Sequence, residues 1–175
     1  QYAPIEEKAL FRLGFHNVEG LEAHYNDIKN HHWYKSCNLV CINETWLKST
    51  NCQYDLEGFT LLVQNRSNSY YNPSLCERDR GGVGIFIRND TTFEIINLPC
   101  SNVESLTIKT QVLNKICFIT TVYKPPHMNS TNFITDFNQQ LELMNLENSQ
   151  HIIMGDFNEN LNSINTSIHN NFEAR

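Results

Sequence analysis

Apolar and polar positions alternate along much of the chain, in short segments separated by turn-forming residues. This pattern, together with many β-branched residues, predicts β-strands. The predicted strands cover residues 10–17, 37–44, 59–66, 81–89, 93–98, 103–112, 115–126 and 151–158. The nearly continuous apolar run within residues 37–44 is typical of a strand that is buried on both faces.

A first helix is predicted over residues 21–33, because Leu21, Tyr25 and Ile28 fall on one face at helical spacing. The polar stretch at residues 67–80 contains Asn-Pro and many charges, and it predicts a surface loop.

A second helix is predicted over residues 131–145, with Thr131 or Asn132 as its N-cap. Its apolar residues recur at helical spacing, at Phe133, Phe137, Leu141 and Met144. We interpret this stripe as core packing, with a binding groove as the alternative. Strands outnumber helices and occur in runs, so the pattern predicts an α+β fold with sheet at its centre.

Length and composition fit one globular domain over residues 1–175, with 40% hydrophobic and 18% charged residues. No apolar run approaches the roughly 18–20 residues that span a bilayer, so no membrane partner is expected. The formal net charge of −6 and the pI near 5.6 argue against holding nucleic acid by bulk electrostatics. They leave open a local contact with phosphate through a metal ion.

The six cysteines show no Cys-x-x-Cys spacing, which argues against a zinc site. Cys41 and Cys117 lie within apolar runs and are expected to be small buried residues. A chain of this size does not need disulfide bonds, and chance produces Asn-x-Ser/Thr triplets in so Asn-rich a sequence. We therefore expect an intracellular location, nuclear or cytoplasmic.

Four predicted strands end in polar residues that suit phosphate or metal chemistry. These residues are Asn17, Glu44, Tyr123, and Asp156 with Asn158. Each has an ordinary explanation by itself: a solvated strand end, packing before Pro-Pro, a turn or a helix cap. Together they bring acid, amide and phenol groups to strand ends, where a layered sheet gathers its ligand site.

Phosphodiester hydrolysis with a hard cation is the chemistry that these groups support. Mg²⁺ prefers oxygen ligands and keeps several waters, so one or two carboxylates are enough. Glu44 is the best candidate ligand, and Asn17 would orient it or bind through water. Asp156 would accept a proton from the attacking water, and Asn158, on the same face of an extended chain, would hold that water or a phosphate oxygen. Tyr123 would donate to the phosphate in the transition state.

Five motifs carry a resemblance to a known family: HNVEGL, INETWL, GGVGIFIR, VYKPP and GDFNENL. Their order and approximate spacing resemble the endonuclease/exonuclease/phosphatase superfamily, most of all the apurinic-type endonuclease domain of non-LTR (LINE-type) retrotransposons. The resemblance covers residues 12–162. It implies a four-layered α/β sandwich, two β-sheets flanked by helices, that nicks DNA with Mg²⁺, or with Mn²⁺ as a substitute.

The resemblance also implies a role for each site residue. Asn17 and Glu44 fall at metal-site positions, and Tyr123 falls at a phosphate contact. Asp156 and Asn158 fall at the positions of the pair that handles the attacking water.

Four further residues were considered as candidates for the site. Glu19 falls where abasic-site members carry a metal-binding Asp, which makes it a candidate outer acid of the metal site. Asn160 falls near a position that lines the site. Glu104 is interpreted as a strand-end residue rather than a catalytic one, and strand alternation directs His16 away from the site.

The chain departs from the family pattern after the last motif. The family closes its site with later strands and a Ser-Asp-His motif, whereas residues 159–175 read ENLNSINTSIHNNFEAR and no Asp precedes His169. We therefore expect a C-terminally incomplete sandwich with weak or no turnover. We also expect uncovered sheet edges that favour self-association or a protein partner.

Several functions compete at this point. The first is a Mg²⁺-dependent DNA endonuclease of the LINE type, for which the upstream site residues are all present. The second is a non-catalytic interaction module derived from that fold, which the missing Asp-His pair and the acidic charge favour. A phosphatase or lipid phosphodiesterase would need a basic pocket, for which Lys124 alone is a thin basis. A secreted nuclease would need a signal peptide and disulfide bonds, and neither is evident.

Overall fold

A computed structural model describes residues 10–49, 54–70, 80–99, 102–144 and 149–159. The strands in these ranges are β1 (Leu13–Asn17), β2 (Leu39–Asn43), β3 (Phe59–Gln64), β4 (Val83–Arg88), β5 (Phe93–Ile96), β6 (Glu104–Val112), β7 (Lys115–Tyr123) and β8 (Gln150–Asp156). The helices are α1 (Leu21–Asn30), α2 (His32–Ser36) and α3 (Ser130–Leu143), with a short 3₁₀ helix at Arg66–Asn68.

The strands form two four-stranded sheets, with the orders β1-β2-β4-β3 and β5-β6-β7-β8. β1 runs parallel to β2, and β7 runs parallel to β8, whereas the other neighbouring strands are antiparallel. In the parallel pairs Asn17 lies opposite Asn43, and Tyr123 lies opposite Asp156. Each sheet therefore brings two strand ends with polar residues to one of its edges.

The two sheets pack face to face, and helices cover their outer faces. Apolar side chains of both sheets form the layer between them, among them Leu39, Cys41, Ile85, Ile108 and Ile119. On the first sheet, alternate residues of β2 and β4 pack against α1 and α2. On the second sheet, Val122 packs against Phe133 and Phe137 of α3. The predicted α+β fold, a four-layered sandwich of two sheets flanked by helices, is confirmed.

A buried amide joins the two sheets next to their polar edges. Asn43 at the end of β2 donates from Nδ2 to the carbonyl of Val122 (2.7 Å) and accepts from Thr121 Oγ1 (2.8 Å). Its side chain is fully buried, so both of its polar atoms need partners inside the protein. These two hydrogen bonds align β2 with β7 at the edge where the candidate site residues lie.

The structure corrects two predicted helix boundaries. The single helix predicted over residues 21–33 is broken at His31, which has extended backbone angles and whose side chain caps α2. The N-cap of α3 is Asn129 rather than Thr131 or Asn132, since the Asn129 side chain accepts from the Asn132 backbone N–H (3.1 Å). A short polar side chain in the β region satisfies such N–H groups well.

The prediction of a surface loop over residues 67–80 holds for the exposed residues 67 and 68 but is wrong at the next two positions. Ser69 and Tyr70 are only 3% and 7% exposed. The Tyr70 hydroxyl donates to the buried carboxylate of Glu104 (2.6 Å), so a polar sequence lies inside because its polar groups have partners there. Residues 71–79 of the predicted loop lie outside the described residues.

The cysteines within the described ranges are buried, as the sequence indicated for two of them. Cys41 and Cys117 are fully buried between the sheets, and burial raises the pKa of the Cys41 thiol to about 12. Among the residues that the structure describes, no helix is both long enough and apolar enough to cross a membrane.

Candidate active site

Asn17 lies at the centre of the candidate site. Its Nδ2 donates to Glu44 Oε1 and to Asp156 Oδ2, both at 2.9 Å. Asn17 ends β1 and Glu44 follows β2 in the first sheet, whereas Asp156 ends β8 in the second. One amide therefore connects the polar edges of both sheets, and two carboxylates far apart in sequence share it.

The carboxylate of Glu44 is held from several directions. Its Oε2 accepts from the indole Nε1 of Trp46 (3.1 Å), and Tyr123 hydrogen-bonds to it as well. Burial raises the pKa of Tyr123 above its ordinary value, and the charge of Glu44 and their hydrogen bond add to the rise. Tyr123 therefore keeps its proton at neutral pH and remains a hydrogen-bond donor.

Asp156 and Asn158 are linked through the backbone. The backbone N–H of Asn158 donates to Asp156 Oδ1 (3.0 Å), and Asn158 Nδ2 donates to the carbonyl of Lys124 (2.8 Å). The expectation that both side chains share one face of an extended chain is wrong, because β8 ends at Asp156 and Asn158 has φ +46°. An Asp side chain that accepts a backbone N–H two residues later turns the chain there.

Glu19 lies at the rim of the same site. It is exposed, its backbone N–H donates to Asn17 Oδ1 (3.3 Å), and its side chain lines the same cleft as Glu44. The amide of Asn17 thus uses its oxygen as well as its nitrogen.

Unusual backbone conformations concentrate around these residues. In the described ranges, six residues other than glycine have positive φ, and the site residues Glu19, Glu44, Trp46 and Asn158 are four of them. The other two form the β6–β7 turn. Such conformations cost free energy and persist where the surrounding structure enforces them, which is common at functional sites.

A cleft opens beside Glu44 and Tyr123, with a volume of about 640 Å³. It is lined by Glu19, Glu44, Trp46, Arg66, Arg80, Tyr123, Pro125, Pro126 and His127. The Arg80 guanidinium lies over the ring of Trp46, with 5.1 Å between its Cζ and the ring centroid. The cleft lining thus combines acidic groups with a cation that rests on an aromatic ring.

A buried ion pair supports the wall of this cleft. Glu104 is fully buried and accepts from Arg66 Nε and Nη2 (2.8 Å each), from the Tyr70 hydroxyl and from the backbone N–H of Gly82. Burial raises the pKa of Glu104, and the Arg66 guanidinium opposes that rise. A Cβ at Gly81, whose φ is +104°, would overlap Arg66 and Glu104, so only glycine fits there.

The sequence pattern indicated some of these neighbours and missed others. It placed Glu104 at a strand end, where the structure also has it. Trp46 lies within the INETWL motif, but the sequence pattern does not mark it as a site residue. Arg66 and Arg80 lie in or beside the segment that was interpreted as a surface loop, and no local signal marked them as cleft residues.

Other candidate residues lie away from the cleft. His16 hydrogen-bonds to the Tyr34 hydroxyl on the α2 side, as strand alternation indicated. Lys124 is buried and pairs with Glu159 (3.1 Å), so it does not supply a basic surface for a lipid or sugar-phosphate head group. Asn160 and His169 lie outside the described residues.

The donor atoms of the candidate site suit some metal ions better than others. The described part of the chain holds no group of three or more His, Cys, Asp or Glu side chains arranged around a metal position. The groups that meet at Asn17 offer oxygen donors, chiefly the carboxylates of Glu44 and Asp156. This set fits Mg²⁺, which one or two carboxylates and several waters hold, better than it fits zinc.

Comparisons with known proteins identify the fold. No protein-family model and no curated protein matches the chain. The human Nocturnin catalytic domain is 14% identical with a TM-score of 0.60, over 86% of this chain and 64% of its own. The endonuclease domain of TRAS1, a telomere-specific non-LTR retrotransposon, is 10% identical with a TM-score of 0.61, over 87% and 61%.

An AP endonuclease from Archaeoglobus fulgidus is 13% identical with a TM-score of 0.56, over 85% of this chain and 57% of its own. The chain therefore spans about three-fifths of the length of these solved structures. Its fold is that of the endonuclease/exonuclease/phosphatase superfamily.

Proposed function

We propose that the chain is a metal-dependent phosphodiesterase that nicks DNA, of the type found in non-LTR retrotransposons. The observation that carries this proposal is the pair of hydrogen bonds from Asn17 to Glu44 and Asp156. It holds a candidate metal ligand and a candidate general base in one connected unit. Metal-assisted hydrolysis of a phosphodiester needs both groups at one phosphate.

Glu44 would hold the metal, with Asn17 orienting its carboxylate and Glu19 as an outer acid at the rim. When bound, Mg²⁺ supplies Lewis-acid stabilisation of the charge that develops on the phosphate oxygens. The indole N–H of Trp46 and the hydroxyl of Tyr123 fix the carboxylate further. Partners of this kind orient a ligand and tune its affinity for the metal.

Asp156 would accept the proton of the attacking water. Its two oxygens are oriented by Asn17 Nδ2 and by the backbone N–H of Asn158, so its carboxylate is held in one position. Asn158 Nδ2 gives one N–H to the Lys124 carbonyl, so its second N–H and its amide oxygen are the groups that would hold the water or a phosphate oxygen. Precise placement of a base relative to the water is worth several orders of magnitude in rate.

Tyr123 would donate a hydrogen bond to a phosphate oxygen. Burial raises its pKa, so the phenol stays protonated at neutral pH. Its present partner is Glu44, and a phosphate held by a cation on this carboxylate would lie within reach of the same hydroxyl. Donors aimed at developing negative charge are a large part of catalysis by such sites.

The proposed substrate follows from the relatives and the motifs. TRAS1 and the Archaeoglobus protein are endonucleases by name, and TRAS1 belongs to a non-LTR retrotransposon. The five motifs from HNVEGL to GDFNENL resemble the same retrotransposon class. The net charge of −6 favours local contacts with phosphate over broad electrostatic attraction to DNA.

Nicking of supercoiled plasmid tests this function. We expect Mg²⁺ to produce relaxed circles at a slow rate, in line with the weak turnover that the sequence predicts, and EDTA to prevent them, because the cation stabilises the phosphate charge. Glu44→Ala and Asp156→Ala should each lower the nicking rate at least ~100-fold. Glu57→Ala, which removes an exposed acid away from the cleft, is the matched control and should nick normally.

Two results would contradict the nuclease proposal. One is the absence of Mg²⁺-dependent nicking by the folded wild-type chain. The other is activity that both substitutions leave intact, since that activity would come from a contaminant.

The alternative is a non-catalytic interaction module. It is favoured by β8, which among the described residues pairs with β7 alone. The side chain of Ile153 on this strand is 37% exposed. An unpaired strand edge with apolar side chains is a surface that another polypeptide can cover. Light scattering would support self-association by a mass that rises with concentration, whereas a constant monomer mass would count against it.

A further inference from the structure

We propose that Arg80 binds a DNA phosphate that neighbours the cleaved phosphate on the same strand. Trp46 holds Arg80 in position for this contact. This contact belongs to the proposed nuclease function and stands only if that function does. It adds a substrate-positioning residue outside the constellation around Asn17.

The cleft has room for a nucleotide beside the candidate catalytic groups. Its volume of about 640 Å³ lies within the range of pockets that bind organic ligands. Glu44 and Tyr123 stand at one part of its lining, and Arg80 lines it too. If the cleaved phosphate lies beside Glu44, a neighbouring nucleotide of the same strand would therefore lie beside Arg80.

Trp46 connects the candidate metal ligand to the cation. The edge of its indole donates to Glu44 Oε2 (3.1 Å), and its face carries the Arg80 guanidinium at 5.1 Å. The ring also packs on Gly20, where an added Cβ would lie 2.7 Å from Trp46 Cε3. The indole is thus confined, and so is the guanidinium that it holds by cation–π attraction.

The two arginines of the cleft differ in their burial and in the partners of their guanidinium groups. Arg66 is buried, and its Nε and Nη2 are both engaged by the carboxylate of Glu104. Arg80 is exposed in the cleft and rests on an aromatic face. A guanidinium over a ring keeps N–H donors at its edge, and these match the oxygens of a phosphate group.

Charge favours such a contact in this chain. With a net charge of −6 and the acids Glu19 and Glu44 in the same cleft, a polyanion is repelled unless a local cation offsets them. Among the described residues of the cleft, Arg66 is buried against a carboxylate, whereas Arg80 is an exposed cation. Base stacking on Trp46 is the less favoured contact, since Arg80 already covers that ring.

Salt-dependent DNA binding tests this assignment. The probe is a short fluorescent DNA duplex, and protein is titrated into it in the presence of MgCl₂ while anisotropy is measured. Every protein variant carries Asp156→Asn so that the duplex stays uncut. Relative to that background, we expect Arg80→Ala to weaken binding about tenfold and to lower the slope of log Kd against log salt by about one. Trp46→Ala should act in the same way, because Arg80 loses its platform.

Matched variants separate this contact from a general charge effect. Lys115→Ala removes one exposed positive charge at the start of β7, the end opposite Tyr123, and should leave affinity and slope near the background. Arg80→Lys should keep the salt slope but recover only part of the affinity, since an ammonium lacks the planar fork. Trp46→Phe should keep the slope, because the aromatic face remains.

The outcomes distinguish this assignment from the function on which it rests. If Arg80→Ala matches Lys115→Ala while the wild-type chain nicks DNA, the phosphate contact is overturned and the nuclease function stands. If Arg80→Ala weakens binding with an unchanged salt slope, Arg80 does not bind phosphate and the assignment is also overturned. If the wild-type chain neither nicks nor binds DNA, both fall together.

Discussion

A single amide organises the candidate site at the scale of residues. Asn17 has two N–H donors on one nitrogen, and it gives one to Glu44 and one to Asp156. A carboxylate at this position would place a third negative charge beside the other two, and an apolar side chain would leave both without that donor. The amide holds two acids near each other without adding charge.

Trp46 offers a test of ligand orientation at the same scale. Its indole N–H donates to Glu44 Oε2, and Trp46→Phe removes that donor but keeps an aromatic ring. Loss of a partner that orients a metal ligand costs roughly 10–100-fold in metal affinity, and we expect a loss in that range for Mn²⁺. Isothermal titration of Mn²⁺ into the chain measures it without reference to activity.

Trp33→Phe is the control for this measurement. Trp33 lies on α2, is 36% exposed and is not among the residues that line the cleft. Equal Mn²⁺ affinity of both variants would show that the Trp46 hydrogen bond does not matter for the metal.

At the scale of elements, the site depends on strands that approach closely at their ends. β8 lies beside β7 at Gly155, where an added Cβ would overlap the Val122 carbonyl. Gly155 therefore allows Asp156 to lie opposite Tyr123 in the pairing of these strands. Glycines are expected where two backbones come this close.

The ion pair between Glu104 and Arg66 ties the 3₁₀ segment to β6, and its loss should be costly. Glu104→Ala leaves the Arg66 guanidinium buried without its partner. Removal of one partner from a buried pair typically destabilises a protein by about 3–5 kcal/mol, and we expect that range here. Urea unfolding measures the change in free energy.

The exposed pair Glu94–Lys109 is the matched control (3.6 Å). Glu94→Ala removes the same side chain from a solvated pair and should change the free energy of unfolding by less than about 1 kcal/mol. A similarly small effect of Glu104→Ala would mean that its ion pair does not hold the cleft wall.

At the scale of the whole molecule, a half-buried histidine links global stability to pH. Burial lowers the pKa of His151 from 6.5 to about 4, and its Nε2 lies 2.8 Å from Thr120 Oγ1. The unfolded chain binds a proton on this residue below pH 6.5, whereas the folded chain does so only near pH 4. The contribution of His151 to the free energy of unfolding therefore falls as the pH drops through this window.

His151→Gln should flatten this pH dependence of the free energy of unfolding. Urea midpoints measured from pH 6.5 down to about 4 should fall less steeply in this variant than in the wild type. His32→Gln, at an exposed position of α2, should keep the wild-type slope. Parallel curves for all three proteins would refute the assignment to His151.

The sequence by itself was sufficient for the strands and the fold class, and it nominated the candidate site residues. Alternation of apolar residues reports which face of a strand is buried, and this signal is local. Polar residues at strand ends, such as Glu44 and Asp156, stand out against that pattern, so the candidate site was predictable together with the motif resemblance. The hydrogen bond from Asn17 to Asp156 joins the two sheets, so it depends on how the sheets pack against each other.

Only the tertiary structure decided which polar residues are buried and what they contact. Arg66 and Tyr70 are polar residues near a charged segment, and nothing local indicates that a carboxylate from β6 lies beside them. The same holds for Arg80 on Trp46, since their contact depends on how the strand ends are arranged in space. The physical reason is that burial periodicity is encoded within one element, whereas pairing of charges is set by elements distant in sequence.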